Sequence, residues 1–188
     1  MSIPDHAPVR LLVVGDSGVG KTCVTTFLCN EAPVSTLPEW TVGCNVDVKV
    51  HESGSPPKPY VLEFFDVGCH KKHALSRAVF FSNINGIILV YDMSNLKSYS
   101  NLRKWVRELG AASAGGRPIT SSTLSGLSNL PALVVGNKSD LATLSTRERL
   151  SKMVGLDVPS IESSAIKGTV SDRAALHKFF DDVIAARY

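Results

Sequence analysis

Val9-Arg10-Leu11-Leu12-Val13-Val14-Gly15-Asp16-Ser17-Gly18-Val19-Gly20-Lys21-Thr22 decides the fold of this 188-residue chain. Val9–Val14 is a short apolar run that stops at a glycine, and it reads as a buried strand. Gly15–Thr22 fits G-x-x-x-x-G-K-[ST], and a helix is predicted from Lys21 to about Cys29. Strand, glycine loop and helix in that order form the context in which this pattern cradles phosphate. The glycines let the amides of Ser17, Gly18, Val19 and Gly20 curl around phosphate oxygens, with those of Lys21, Thr22 and Cys23 following on the helix. Lys21 supplies a full positive charge to a β- or γ-phosphate. The Thr22 hydroxyl is a hard oxygen ligand suited to Mg²⁺.

Outward from the loop, strands and helices alternate. Val46–Val50 and Tyr60–Phe65 read as two arms of a hairpin, with a turn over Glu52–Pro59 marked by Gly54, Pro56, Pro57 and Pro59. Ile87–Val90 and Ala132–Val135 are further buried strands. Leu102, Val106 and Leu109, with Trp105 beside them, lie on one face of a helix, and Leu176, Phe179, Phe180, Val183 and Ile184 mark a last amphipathic helix. Residues 113–130 are rich in Ser, Gly and Thr and read as a flexible insertion. The expected fold is α/β: a single domain over 1–188, with a mostly parallel sheet, helices on both faces and one antiparallel edge hairpin. Ligands in such folds sit at the carboxyl ends of the strands.

Composition narrows the classes. Lys and Arg total 20 against 17 Asp and Glu, and 44% of residues are apolar. That balance argues against a disordered acidic or basic protein and against a dedicated nucleic-acid binder. No apolar run approaches the ~20 residues that span a bilayer. Met1–Pro8 lacks a secretory core, and none of the four cysteines forms a CxxC pair, so a reducing cytoplasmic setting is expected. No cysteine follows Cys69; a C-terminal prenyl anchor is not expected, and membrane contact is expected only through a partner.

A second motif, Asn137-Lys138-Ser139-Asp140, follows the Ala132–Val135 strand. A carboxylate there accepts two hydrogen bonds from the ring N–H and exocyclic NH₂ of guanine, and adenine has no such donor pair. Asp140 is therefore the candidate for base choice, with the Lys138 stem along the base. Ser164 and Ala165, in Glu162-Ser163-Ser164-Ala165, are candidates to offer a backbone N–H to the guanine oxygen.

With both motifs in place, the chain resembles the Ras superfamily of small GTPases, in its Rab-like branch. The wording Gly15–Lys21, Phe64-Phe65-Asp66, Gly86-Ile87-Ile88-Leu89-Val90-Tyr91-Asp92 and Asn137–Asp140 runs through nearly the whole chain in the family's order. Trp40-Thr41-Val42-Gly43-Cys44 and Asp66-Val67-Gly68 look most like the third Rab-like subgroup. The resemblance implies a G domain that cycles between GTP and GDP with Mg²⁺ and meets effectors and regulators through two switch loops. It implies that Thr22, Thr41 and Asp66 serve the metal, that Thr41 also meets the γ-phosphate, and that Asn137, Lys138, Asp140, Ser164, Ala165 and Ile166 surround guanine.

The chain departs from the family's pattern in places. Cys69 stands where the D-x-x-G glycine is expected, and His70 stands where a glutamine orients the attacking water. His70 is thus the catalytic candidate, and slow intrinsic hydrolysis is expected. Ala32-Pro33-Val34 replaces the aromatic that packs on guanine, and Ile166 replaces a lysine, so faster nucleotide exchange is expected. Cys69, His70 and His73 lack a fourth ligand, so a basic switch face is expected there in preference to a zinc site. Trp40 is expected to pack, with exposure to a partner as the alternative. Two other classes compete with the switch. One is a pseudo-GTPase scaffold or homodimer with structural nucleotide. The other is a P-loop kinase, for which residues 113–130 hold only Arg117 as a lid arginine.

Overall fold

The computed structural model describes residues 7–69, 78–113, 130–153 and 156–188. Its first strand, β1 (Val9–Val14), is the apolar run that opens the phosphate motif, and only Arg10 escapes full burial. β1 sits inside a seven-stranded sheet of order β2-β3-β1-β4-β5-β6-β7. β3 (Lys58–Val67) and β4 (Gly86–Asp92) flank it, both parallel to it. β5 (Ala132–Asn137) and β6 (Ser160–Ser164) continue the parallel part. β4 and β5 are buried along their whole lengths, because strands covered on both faces need apolar side chains in both directions.

β2 (Cys44–Ser53) closes one edge by pairing antiparallel with β3, from Cys44 opposite Val67 to Ser53 opposite Lys58. The expected edge hairpin is therefore present, with longer arms and a tighter turn. Glu52 and Pro59 already pair, which leaves only residues 54–57 to reverse the chain. A two-residue strand, β7 (Thr169–Val170), adds antiparallel to β6 on the other edge.

Helices α1 (Lys21–Asn30), α2 (Leu96–Ser113), α3 (Leu144–Ser151) and α4 (Arg173–Arg187) link the strands. α1 and α4 cover one face, where Val24, Phe27, Phe179, Phe180 and Val183 pack on Leu11, Val13 and Phe64. The predicted spacing of the last helix is the buried stripe of α4, and Phe180 meets Phe64 edge-on at 5.9 Å. α2 covers the opposite face through Leu102, Trp105, Val106 and Leu109 against Leu12, Leu89 and Val134. Residues 114–129 of the expected insertion lie outside the described residues. Among the described residues, no helix is long and apolar enough to cross a membrane.

This topology places the motifs. The chain leaves β1, crosses to the β2–β3 side, and returns to the β4 side. The carboxyl end of β1 is thus the point where strand order reverses, and crevices for ligands form at such points.

Candidate functional site

The loop after β1 is shaped by steric exclusion. A Cβ on Gly15 would lie 2.1 Å from the Val90 carbonyl oxygen, and one on Gly20 would lie 2.4 Å from the Asn137 amide nitrogen. Both glycines also hold positive φ, at 154° and 88°, which side chains disfavour. Gly20 occupies the N-cap of α1 and no side chain caps the helix. The first amides of α1 are therefore left for an external acceptor. Lys21 is only 7% exposed, and its Nζ donates to the Gly15 and Asp16 carbonyls, 3.1 Å each. A buried cation resting on neutral carbonyls favours an arriving anion.

Beside it, three oxygens converge. The Thr22 and Thr41 hydroxyls are 3.0 Å apart. Both donate to Asp66 Oδ2, Thr41 at 3.1 Å and Thr22 in a closer contact. Asp66 is fully buried, and its Oδ1 has no hydrogen-bond partner among the described residues. An orphaned buried carboxylate oxygen next to two hydroxyls is a hard, all-oxygen donor set that fits Mg²⁺. Thr41 reaches this point because its loop presses on the end of β3. The Gly68 N–H donates to the Gly43 carbonyl at 2.8 Å, and a Cβ on Gly68 would sit 2.6 Å from the Thr41 carbonyl oxygen. The structure thus brings together the three residues expected to serve the metal.

The second motif closes the other end. Asn137 is buried and its side chain spans two loops: Nδ2 donates to the Val19 carbonyl at 3.0 Å, and Oδ1 accepts from the Ala165 N–H at 3.3 Å. Lys138 takes a left-handed φ of 60°, and its Nζ bonds the Gly18 carbonyl and Asp92 Oδ2, each at 2.7 Å. Two acceptors in fixed places hold that unusual backbone. Burial alone would raise the Asp92 carboxyl, but hydrogen bonds from Lys138 and Ser94, with the Lys138 charge, hold it below the usual range. Asp140 is exposed at the rim, where Oδ1 accepts from the Ser164 hydroxyl at 2.5 Å.

These ends share one cleft of about 1150 Å³, lined by Lys21 and Thr22 at one end, Lys138, Asp140 and Ala165 at the other, and Trp40 and Thr41 along a wall. Its size exceeds that of an ordinary small-ligand pocket. Ile166 lines the rim and is half exposed. Val34, in the stretch that lacks the stacking aromatic, is buried, and its N–H donates to the Ala165 carbonyl at 2.9 Å. That stretch therefore braces the base end instead of presenting a ring. Trp40 does not pack: it is 81% exposed, as is Val42. His70 and His73 lie outside the described residues. Reasoning from sequence missed Asp92 as a partner of Lys138; its place at the end of a buried strand, two residues from a serine, was the available signal.

A mostly parallel sheet with this loop at its switch point defines a P-loop nucleotide-binding α/β protein. The Ras family model matches residues 10–184. Small GTPase LIP1 of Arabidopsis thaliana is 35% identical over 216 residues, covering 96% of this chain and 63% of that protein. Rab-like protein 3 of Mus musculus is 36% identical over 205 residues, covering 96% of this chain and 86% of its own length. Rab-like protein 3 of Danio rerio is 35% identical over 207 residues, with 96% and 87% covered. The chain belongs to the Ras family, and membership supports a GTP-binding switch.

Proposed function

We propose that the chain binds GTP and GDP with Mg²⁺, hydrolyses GTP slowly, and regulates a protein partner in trafficking or signalling. The convergence of the Thr22 and Thr41 hydroxyls on the Asp66 carboxylate, whose Oδ1 has no partner among the described residues, beside buried Lys21 is the observation that carries this reading. Lys21 leaves the Gly15 and Asp16 carbonyls for the β- and γ-phosphates. Thr22, Thr41 and Asp66 hold the metal, which supplies positive charge against the phosphates. Thr41 sits on an exposed loop that only a triphosphate ties down fully, so loss of the γ-phosphate frees the loop carrying Trp40 and Val42. Asp140 selects guanine, while Asn137 and Lys138 position the loops around it. His70 orients water in place of glutamine and makes turnover slow.

The nucleotide that co-purifies, identified by base and phosphate count, tests this directly. Guanosine di- or triphosphate is expected, and Asp140→Ala is expected to erase preference over adenine nucleotides. An empty protein indifferent to guanine nucleotides with Mg²⁺ would overturn it.

A second reading is a scaffold or homodimer with structural nucleotide. The exposed stripe of Val46, Val48 and Val50 on edge strand β2, continuous in sequence with exposed Trp40 and Val42, favours a protein on that face. Equal partner binding, or equal dimerisation, with GDP and a non-hydrolysable GTP analogue would select this reading over the switch.

A further inference from the structure

Asp16 places an acidic side chain at the start of an anion-binding loop, next to Gly15. The arrangement is costly on its face. A carboxylate on that loop repels polyphosphate and is itself an anion that the loop's amides can bind. Its two oxygens are instead taken by α2. Asn101 Nδ2 donates to Oδ2 at 2.6 Å, and the Trp105 indole N–H donates to Oδ1 at 3.0 Å. Both donors sit one turn apart on the same face of α2. Trp105 is buried in the core under β4, so its indole is a fixed anchor.

We infer that Asn101 and Trp105 act as a latch that keeps the Asp16 carboxylate off the phosphate loop's amides, making α2 a lever on nucleotide affinity. Hydrogen bonds to a carboxylate are strong and directional, so the latch fixes the rotamer as well as dispersing the charge. Lys97 and Lys104 lie on the same helix as Asn101 and line the cleft beside it, so a protein gripping that helix reaches the latch. Asp16, Asn101 and Trp105 are positioning residues in this scheme. The inference rests on the guanine-nucleotide reading proposed above.

Release of a fluorescent GDP analogue from the Mg²⁺-loaded protein, followed by stopped flow, tests it through the sign of a double mutant. Asn101→Ala removes one donor and is expected to speed release about tenfold, the worth of one charge-assisted hydrogen bond. Asp16→Ala added to Asn101→Ala is expected to return release to within about twofold of the unmutated chain, because no carboxylate is left to compete. A purely structural Asn101 predicts the opposite, a double variant as fast as the single one or faster, and that result overturns the latch. So does an Asn101→Ala variant with unchanged release. Trp105→Phe, which keeps the ring and loses only the N–H, repeats the test with the other donor if Asn101→Ala proves poorly folded. An unmutated chain that binds no guanine nucleotide would instead sink the functional reading beneath it, a separate and recognisable failure.

Discussion

The amide of Asn137 is used at both ends, and its Oδ1 takes the Ala165 N–H, a donor that the sequence offers to the guanine oxygen. Removing it in Asn137→Ala leaves the Val19 carbonyl and the Ala165 N–H without partners in a buried setting. Each orphaned group costs about 1–3 kcal/mol. The expected loss is about 2–6 kcal/mol of stability in urea unfolding of the nucleotide-free protein, together with weaker guanine binding because the two loops lose their brace. The thiols make a second case. Burial first, with the nearby Asp47 carboxylate, pushes Cys29 up to about 12, and burial with the Asp66 charge pushes Cys44 up to about 11. Thiolate is the reacting form, so iodoacetamide at neutral pH should leave both intact in the native protein and label both in urea. Rapid native labelling of Cys44 would contradict its placement. At this scale, Lys21, Thr22 and Asp140 were legible as candidates because each lies a short spacing beyond a strand end, and Asp66 only through the family resemblance. The bridges from Asn137 to Val19 and from Lys138 to Asp92 were not, because they join positions that only the finished sheet brings together.

Among the elements, the ones with a clear apolar rhythm were readable and the polar ones were not. β1, β4 and β5 announce themselves as short, mainly apolar runs, and α4 by its stripe of five buried residues. α3 buries none of its residues fully, so it has no periodicity to read. β6, Ser160–Ser164, offers Ile161 alone as an apolar residue; its strand character comes from pairing with β5, a tertiary cause that overrides weak propensity. The packing of α4 on the sheet makes a sharp prediction. A Cβ on Gly86 would lie 2.6 Å from Val183 Cγ2 and 2.9 Å from Leu11 Cδ2, and both neighbours are fully buried. Gly86→Ala should therefore lift α4 from β1 and β4 at a cost of about 1–3 kcal/mol. Adding Val183→Ala opens the space again, so the double variant should be more stable than the sum of the two single losses. Strict additivity in chemical unfolding would show that α4 does not press on this point.

Across the whole molecule, ion pairs tie the outer layers to the sheet, and they set its response to acid. Glu31 at the end of α1 pairs with Lys49 of β2 at 2.5 Å, and that hydrogen bond, then the lysine charge, lowers its carboxyl. Asp181 of α4 meets His51 of β2 at 3.0 Å; burial would raise it, but hydrogen bonds from Ser53 and His51 hold it low. Asp92 at the end of β4 is held low by Lys138 and Ser94 against its own burial. Asp47 moves the other way, raised by burial and then by the Asp66 charge. For the three lowered groups the folded state prefers the ionised form. Their contribution is complete above the ordinary carboxylate values of 3.8 and 4.5 and disappears as pH falls through the lower folded values. Asp47 acts against this, since its raised value favours the fold on the acid side. Among the described residues the three lowered carboxyls outnumber the raised one, and melting midpoints are expected to fall as pH drops from about 5 to 3. Glu31 and Asp181 are half exposed, so solvent screening weakens their share, and buried Asp92 dominates. Asp92→Asn should therefore lower the midpoint at pH 7 while flattening the acid slope, measured without nucleotide so that ligand binding does not enter. A variant whose acid slope matches that of the unmutated chain would mean the junction of Lys138 and Asp92 carries no charge coupling.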